Sequence, residues 1–436
     1  MKYCISKNKS EVSELMQWMV AIILVFYPVA MLTSRLANDA CFFLLIIFGL
    51  YVISTKKEAC WKGFLDFFSS YWMLFLAFFS LFFVQLINQI FISNFRFRYY
   101  DAPIRFLFYP IILYGLTALS SKKIRLTQYG FVIAAFFSAL IVFFATENGA
   151  VRPIHIAYKQ MPLIPYTGVC VLMGVLSTLT INWGEKNHKV VVFLKILSFF
   201  VTLYGSYVSA SRGVWIAIPV FIVLLLLPFR KGFNKKWTVF LISVFIVGLG
   251  FCLFSNIVQS RLDNAKSDID NFLNGNKSTS IGIRFDLYKA AILMSKENIV
   301  LGIGEENYSP EMKNLARKGV ISKEAAVFGH VHNEVLQQLL VLGVSGVISI
   351  LFLYLVPFYY FFRGRSTEYN DINTAAYMGI ILLLAFMIYG LTEVLIIRQD
   401  FVNFFVVINA FVSAYIFRRR YELDTPRHGR HFPAMI

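Results

Sequence analysis

Charged residues are scarce in this chain. They make up 15% of its 436 residues, against roughly 25% in an average soluble domain, whereas 58% of the residues are hydrophobic. A soluble fold of this size cannot bury so much apolar surface, so the composition indicates an integral membrane protein. The net charge of +17 does not indicate a nucleic-acid-binding protein, because the lysines and arginines stand in short clusters between apolar runs.

Cysteine is rare as well, with five residues and no CxxC pair. This spacing excludes a disulfide framework and a cysteine-based zinc cluster. A P-loop pattern is also missing, so no ATP site is expected. The first apolar run is too long for the core of a signal peptide and lacks an A-x-A cleavage pattern, which predicts a retained span.

Apolar runs of membrane length recur along the whole chain and predict an all-α integral membrane protein of about twelve transmembrane helices. The expected spans are 15–33, 40–54, 67–92, 103–119, 128–146, 162–181, 190–209, 213–228, 237–255, 334–361, 374–395 and 399–417. The predicted organisation is an N-terminal bundle of about nine helices (1–255), a large loop (256–333), about three C-terminal helices (334–417) and a basic tail (418–436).

The basic clusters predict the orientation in the membrane. Alternate loops carry most of the lysines and arginines, and by the positive-inside rule these loops and both termini are cytoplasmic. The large loop then faces the external, periplasmic side. Within it, segment 283–297 has apolar residues at helical spacing beside Arg284, which predicts an amphipathic helix lying along the membrane surface.

Several arginines and a histidine are expected at this external face. Arg212 lies in a short turn, Arg284 in the large loop, His332 at the end of that loop and Arg398 in the last turn. Arginine offers a rigid fork of donors that matches phosphate oxygens, and two arginines can stabilise a departing pyrophosphate. Histidine can take a proton from an attacking hydroxyl. Asn333 is the expected N-cap of the following span.

One spacing is more specific. His332-Asn333, nine further residues, and then Gly343-Val344-Ser345-Gly346 resemble the H-[NSQ]-x9-G-x-x-G signature of bacterial O-antigen ligases. Their superfamily also holds O-antigen polymerases and protein O-oligosaccharyltransferases. The predicted layout is similar too, with about twelve spans in a GT-C-like arrangement, both termini inside and one large periplasmic loop before the signature span.

The resemblance implies a set of site residues. An arginine before an upstream span, an arginine in the large loop and the signature histidine map by position to Arg212, Arg284 and His332, which are the expected catalytic residues. Arg284 is preferred to Arg261 because of its amphipathic context. Arg212 and Arg284, together with Arg398, His330 and Asn333, are the expected substrate-binding residues.

The resemblance also implies the reaction. The donor would be undecaprenyl-pyrophosphate-linked O-antigen and the acceptor lipid A-core, with membrane lipids as the surroundings and with no cofactor, metal, ATP or nucleic acid. His332 would deprotonate a sugar hydroxyl, which attacks the anomeric carbon with inversion. The protein would lie in the bacterial inner membrane with its active site facing the periplasm, and the sequence leaves its oligomeric state open.

Three other functions remain as alternatives. An O-antigen polymerase would use the same donor with a second lipid-linked glycan as acceptor. A protein O-oligosaccharyltransferase commonly carries an additional soluble C-terminal region, whereas this chain ends in a short basic tail. A flippase for lipid-linked oligosaccharide usually places charges within the bundle and has related halves, whereas the charges of interest here gather at one surface.

Two metal-binding patterns are expected to be coincidental. His330 and His332 could be metal ligands, but the large loop offers no cysteine and no further histidine. For His330, a structural or substrate-contacting role is an equal alternative to catalysis. Asp268 and Asp270 resemble a D-x-D motif, but they stand in a charged, Asn- and Ser-rich stretch that favours a solvated surface.

The remaining expectations concern residues with structural alternatives. Arg212 and Arg284 could be anchors to lipid headgroups. Gly343 and Gly346 are expected to allow close helix packing. Glu393 lies near the external end of its span, where it could pair with Arg398 or orient a site residue. Lys195 is expected to snorkel to the cytoplasmic surface.

Overall fold

Helices dominate the computed structural model of this chain. The structure describes residues 12–55, 59–93, 95–156, 161–183, 188–229, 256–274 and 279–424. Eight of the described helices are long and apolar enough to cross a membrane. Strand structure within the described part of the chain amounts to one antiparallel pair, in which β1 (His155–Ile156) pairs with β2 (Met161–Pro162). The expected all-α membrane protein is thereby confirmed.

The helices up to residue 229 precede the large loop. They are α1 (Glu14–Thr33), α2 (Arg35–Ser54), α3 (Ala59–Ser70), α4 (Trp72–Ile92), α5 (Tyr109–Leu116), α6 (Ser121–Arg125), α7 (Thr127–Ala145), α8 (Leu163–Leu179), α9 (Lys189–Val208), α10 (Arg212–Trp215) and α11 (Ala217–Phe229). Short 3₁₀ helices cover Phe97–Tyr100, Pro103–Phe108, Glu147–Gly149 and Thr180–Asn182.

The second half contains the loop helices and the last spans. They are α12 (Asn256–Leu273), α13 (Ser280–Ser295), α14 (Glu305–Arg317), α15 (Glu334–Gly364), α16 (Asn370–Gly390) and α17 (Gln399–Asp424), with a 3₁₀ helix at Ala325–Val327. Helix α17 is the most central of the spans, because its apolar stretch is buried completely. Helix α15 packs along α4 and α16.

Several predicted span boundaries differ from the observed helices. The expected span 374–395 ends at Gly390, so the expectation that Glu393 lies within a span is wrong and Glu393 is in the following loop. The expected span 67–92 is divided at Tyr71, after two serines that favour hydrogen bonds to nearby backbone; Ser70 Oγ donates to the carbonyl of Asp66 over 2.7 Å. The last helix continues past 417 to Asp424, so the predicted basic tail begins within a helix. The predicted span 237–255 lies outside the described residues.

Among the described residues, one end of the helix bundle holds the basic clusters at 122–125, 363–365 and 418–420. Lys123 Nζ lies 2.7 Å from Glu14 Oε1, and the Ser121 amide donates to Glu422 over 3.1 Å. Arg420 donates to the carbonyl of Gly364 over 2.8 Å. The starts of α1 and α6 and the ends of α15 and α17 therefore meet here, at the end that we call the basic end.

Two buried cationic side chains inside the bundle are paired, namely those of Lys195 and Arg105. Lys195 is fully buried and donates to Gln128 Oε1 over 2.6 Å and to the carbonyl of Thr180 over 3.0 Å. The expectation that Lys195 snorkels to the surface is therefore wrong. Arg105 Nη1 lies 2.8 Å from Asp39 Oδ1 and from Asn403 Oδ1. Such pairing is required where water is absent.

The signature helix α15 is broken at Gly343. This residue has φ 67° and ψ −158°, a backbone region that essentially only glycine adopts. The break leaves helix carbonyls and amides without partners inside the helix, and residues 298–304, which we call the inserted segment, satisfy them. Ile303 and Gly304 donate to the carbonyls of Leu340 and Val341, each over 3.0 Å.

The pairing is reciprocal on the other side of the break. The amides of Val344 and Ser345 donate to the carbonyls of Ile299 and Val300, over 2.8 and 3.2 Å. Gly302 (φ 71°) lies against Gly343 so closely that a Cβ on Gly302 would come within 2.4 Å of the Val341 backbone. Gly343 thus allows the inserted segment, rather than a neighbouring helix, to approach the backbone of α15. The expectation that Gly343 allows close helix packing is therefore wrong.

We expect Gly343→Ala and Gly302→Ala to destabilise the protein much more than Gly319→Ala. All three glycines have positive φ, but a Cβ at Gly319 meets nothing within 4 Å. Gly319→Ala should therefore cost only the backbone strain, about 1–2 kcal/mol. The other two substitutions add a clash with backbone and should cost roughly 3 kcal/mol or more. Thermal unfolding in detergent measures the difference, and equal losses for all three variants would contradict the account of the break.

Candidate functional site

Two histidines and one glutamate meet where the large loop enters α15. His330 Nε2 lies 2.6 Å from Glu393 Oε1, and His332 Nδ1 lies 3.2 Å from the same oxygen. The imidazole ring centres are 4.3 Å apart. The Glu393 side chain is only 7% exposed, whereas those of His330 and His332 are 26% and 18% exposed. The imidazoles are therefore the accessible part of this group, which we call the histidine–glutamate cluster.

The backbone around His332 is fixed by its neighbours. Asn333 Oδ1 accepts a hydrogen bond of 3.0 Å from the Leu336 amide, so the prediction that Asn333 is the N-cap is confirmed. The Val331 amide donates to Gln337 Oε1 over 3.0 Å. Under these constraints His332 adopts φ 56°, a left-handed conformation that is uncommon outside glycine. The surrounding structure thus fixes the backbone conformation from which the imidazole extends.

The buried carboxylate of Glu334 holds the loop that carries Glu393. Glu334, at the start of α15, is 2% exposed, and its Oε2 accepts hydrogen bonds from the amides of Leu395 (2.7 Å) and Ile396 (3.2 Å). Asn333 Nδ2 also donates to the carbonyl of Leu391 over 3.3 Å. These bonds tie the loop 391–398, which carries Glu393, to the helix that follows the histidines.

The charge of Glu393 is maintained by the histidines. Burial raises the pKa of this carboxyl, but hydrogen bonding and the charges of the adjoining His330 and His332 outweigh burial and hold the pKa well below its usual range. Glu393 is therefore ionised at neutral pH.

Arg212 begins α10 directly after a tight turn against the same loop. The turn contains Ala210 at φ 51°. A Cβ on Gly213 would lie 2.6 Å from Thr392 Oγ1, so the glycine permits the close approach of the turn to the loop. Thr392 directly precedes Glu393. The structure thus brings the start of α10 next to the histidine–glutamate cluster, and Arg212 is partly buried there.

Arg284 lies on α13, a helix of the large loop. Helix α13 covers the segment predicted to be amphipathic, and its Leu287 and Ala291 are fully buried, as the predicted apolar stripe requires. The helix packs against α15 and the 3₁₀ helix before His330. Arg284 itself is partly buried. The alternative, Arg261, is on α12, and its side chain is outside the part of the chain that the structure describes.

Arg398 lies apart from the cluster and lines a neighbouring cavity. Its Nη2 is 3.6 Å from Asp400 Oδ2, so of the two roles considered for Glu393, pairing with Arg398 is not the one observed. The cavity has a volume of about 500 Å³ and is also lined by Gly329, next to His330. The site end of the bundle therefore has two adjoining parts, the cluster and the cavity.

The cluster has the composition of a metal site. One atom each of His330, His332 and Glu393 lies within 4.8 Å of the others, and two histidines with one carboxylate are a known ligand set for zinc and iron. The third ligand comes from the loop after α16 rather than from the large loop, which is why the sequence did not indicate it. By contrast, Asp268 and Asp270 lie two apart on α12, and side chains at that spacing do not face each other on a helix.

Comparisons with known proteins find a family match for the part of the chain that contains both histidines. Residues 197–351 match the family model described as O-antigen ligase, and this stretch contains Arg212, Arg284 and His332. Residues 197–351 are therefore similar to the O-antigen ligase family. Outside this segment, Glu393 comes from the following part of the chain.

Two relatives extend the comparison. The chain is 25% identical to an uncharacterised protein of Haemophilus influenzae over 374 residues, which cover 84% of this chain and 90% of that protein. It is 26% identical to an O-antigen ligase of Escherichia coli over 198 residues, which cover 45% of this chain and 46% of the ligase. The second match thus spans less than half of either protein.

Sequence reasoning missed Glu334 as a support of the site, and it gave the orienting role of Glu393 as one of two alternatives without identifying the histidines as its partners. Glu334 follows the signature dipeptide directly, and an acidic residue at the start of a span was a usable signal for a buried contact. The link between Glu393 and both histidines joins positions about sixty residues apart, and no local pattern announces it.

We expect the Glu393→Gln variant to lose less stability in acid than the wild type does. Because the folded-state pKa of Glu393 is depressed, its contribution to stability is present above the unfolded value, about 4.3, and is lost as the pH falls below it. Melting temperatures in detergent between about pH 6 and pH 3.5 should therefore fall less in Glu393→Gln than in the wild type. Glu297→Gln, at an exposed glutamate, is the control and should follow the wild type. Parallel curves for Glu393→Gln and the wild type would contradict the charge assignment.

Proposed function

We propose that this protein is an O-antigen ligase, which transfers O-antigen from undecaprenyl pyrophosphate to a sugar hydroxyl of lipid A-core. The observation that carries the proposal is the histidine–glutamate cluster. His332 lies within the family-matching segment and beside a buried carboxylate, which is the arrangement that general-base catalysis needs. The enzyme class is a glycosyltransferase that uses a lipid-linked donor.

His332 is the base in this proposal. A proton on Nδ1, which lies 3.2 Å from Glu393 Oε1, leaves Nε2 without a proton and able to take one from the acceptor hydroxyl. The oxygen of that hydroxyl forms a bond to the anomeric carbon of the donor sugar. The bond from this carbon to the pyrophosphate oxygen breaks, and undecaprenyl pyrophosphate leaves with the electron pair. Attack opposite the leaving group inverts the anomeric configuration.

Arg212 and Arg284 hold the pyrophosphate as it leaves. Each guanidinium can donate two parallel hydrogen bonds to phosphate oxygens, and its charge balances the negative charge that develops on the leaving group. The position of the Arg212 turn against Thr392 supports this role. Arg398, His330 and Asn333 are further contacts to substrate, and no cofactor, metal or ATP takes part.

The membrane orientation belongs to the same proposal. The gathering of basic clusters at the basic end of the bundle, with the histidine–glutamate cluster elsewhere, supports a cytoplasmic basic end and an active site at the periplasmic face of the inner membrane. In this organisation 1–255 and 334–417 form the membrane part, and 256–333 form the periplasmic loop. The donor and the acceptor both reach the site from the outer leaflet.

We expect His332→Ala to lower the rate of glycan transfer by a factor of about 10²–10⁴, the usual contribution of a positioned base. The assay uses purified protein in liposomes with undecaprenyl-pyrophosphate-linked O-antigen, lipid A-core and EDTA. His155→Ala is the matched control, because His155 is exposed on β1 and plays no part in the mechanism.

The assay separates the competing functions. Glycan on lipid A-core with the wild type in EDTA supports a metal-independent ligase. Donor chains that lengthen while lipid A-core stays unmodified would make the protein an O-antigen polymerase. Activity lost in EDTA and restored by zinc would make the cluster a metal site, and movement of lipid across the membrane without transfer would indicate a flippase.

We expect Arg284→Ala to raise the KM for the lipid-pyrophosphate donor about tenfold or more, because a charged hydrogen bond to phosphate is lost. Lys289→Ala, five residues further along α13, is the control for the positive charge of the helix; Lys289 is exposed and donates to the carbonyl of Val320. Equal effects of the two variants would mean that Arg284 acts through the membrane surface rather than through the donor.

A further inference from the structure

The cavity beside the histidine–glutamate cluster has a lining of mixed charge. Three arginines reach it, namely Arg35, Arg98 and Arg398, and so do three acidic residues, namely Asp101, Glu305 and Asp400. A pocket for a bare phosphate would carry an excess of positive charge. This balance instead suits a neutral, hydroxyl-rich ligand, because guanidinium groups donate to hydroxyl oxygens and carboxylates accept from hydroxyl protons.

Buried amides complete the polar lining. Gln85, Gln337 and Gln338 border the cavity and are 5%, 1% and 6% exposed. Among the described residues, no group accepts a hydrogen bond from Gln85 Nε2. A buried donor of this kind is costly unless a ligand or water pairs with it. Gln85 lies on the apolar helix α4, where it has no solvated surface to face.

The size and the apolar part of the wall agree with the polar part. A volume of about 500 Å³ is within the range of small-molecule pockets, roughly 300–1,000 Å³. Tyr99 and Phe106 also line the cavity, and aromatic rings provide apolar surface for the CH groups of a sugar. Burial raises the pKa of Glu305 to about 7, against a smaller lowering by the nearby His330, so this carboxyl can donate as well as accept near neutral pH.

We propose that this cavity binds a sugar ring of the acceptor glycolipid and presents its hydroxyl to the histidine–glutamate cluster. This inference rests on the proposed function, and assigns a place to one of its two substrates. The cavity lining includes Gly329 and runs from Ile396 onwards in the last loop, whereas the Arg212 turn meets that loop at Thr392. Glu393 lies between these contacts along the chain. The acceptor and the leaving pyrophosphate thus approach the cluster from different parts of the loop.

Two variants test the cavity without removing the base. Arg98→Ala changes an exposed side chain and should raise both the KM and the Kd for the acceptor about tenfold, with the donor KM unchanged. Gln85→Leu removes the unpaired buried amide, so it should weaken acceptor binding while the melting temperature stays level or rises. If Gln85 had only a structural role, its substitution would not weaken acceptor binding while the melting temperature stays level or rises. Arg96→Ala, at an exposed arginine outside the lining, is the control.

Binding is measured without turnover by titrating the core oligosaccharide, released from its lipid, into the detergent-solubilised full chain in the absence of donor. Weaker binding by Arg98→Ala and Gln85→Leu, but not by Arg96→Ala, would support the cavity as the acceptor site. A dephosphorylated oligosaccharide that binds equally well would also support it, whereas binding that requires the phosphates would overturn the sugar assignment.

Kinetics distinguish the two substrates and the two proposals. A rise of the donor KM alone in Arg98→Ala would overturn the acceptor assignment and give the cavity to the donor glycan. If the wild type binds the oligosaccharide in the cavity but transfers nothing to lipid A-core, the proposed function fails and the binding site remains. If the wild type transfers glycan but both cavity variants behave as Arg96→Ala does, the cavity proposal fails and the ligase remains.

Discussion

The site depends on one backbone interaction, the reciprocal pairing of the inserted segment with the break in α15. A helix interrupted at Gly343 in an apolar environment leaves polar groups that water cannot reach. The inserted segment satisfies four of them, and Asn88 Nδ2 adds hydrogen bonds of 2.5 and 3.3 Å to the carbonyls of Leu301 and Val341. Because Gly304 directly precedes α14, the same pairing places Glu305 at the cavity. The two glycines are needed for contact between backbones, and the site is built on that contact.

Glu334 pairs with backbone groups in the same way, on the side of the site that the loop 391–398 forms. Its carboxylate accepts from two amides of the last loop, which would otherwise be unpaired donors near the start of the spans. Asn333 performs two tasks, since its oxygen caps α15 and its nitrogen holds the same loop. The first turn of α15 therefore positions both the histidines before it and Glu393 opposite. The signature dipeptide matters for geometry as much as for chemistry.

The sequence allowed the local features to be predicted, but not those made by distant segments. Hydropathy located the membrane helices, and the spacing of His332, Asn333 and Gly343 located the signature because all lie within a dozen residues. The prediction that Gly343 allows helix packing was wrong because this glycine instead forms a helix break. The break is stabilised by the inserted segment, which lies about forty residues earlier in the chain. Lys195 was misplaced for the same reason: its partners Gln128 and Thr180 belong to other parts of the chain, and hydropathy alone cannot indicate them.

The shared carboxylate explains why two histidines stand at the entrance of a membrane helix. Both imidazoles face Glu393 Oε1, but at unequal distances, 2.6 Å for His330 and 3.2 Å for His332. The shorter hydrogen bond holds His330 in place and compensates the buried charge of Glu393. His332 is in the longer contact, so it benefits from the negative charge while its ring is bound less tightly. A base must exchange its proton during each turnover, and a rigidly bonded imidazole is less suited to that exchange. In the proposed mechanism this difference would assign the two imidazoles different roles, with His330 stabilising the carboxylate and His332 transferring the proton.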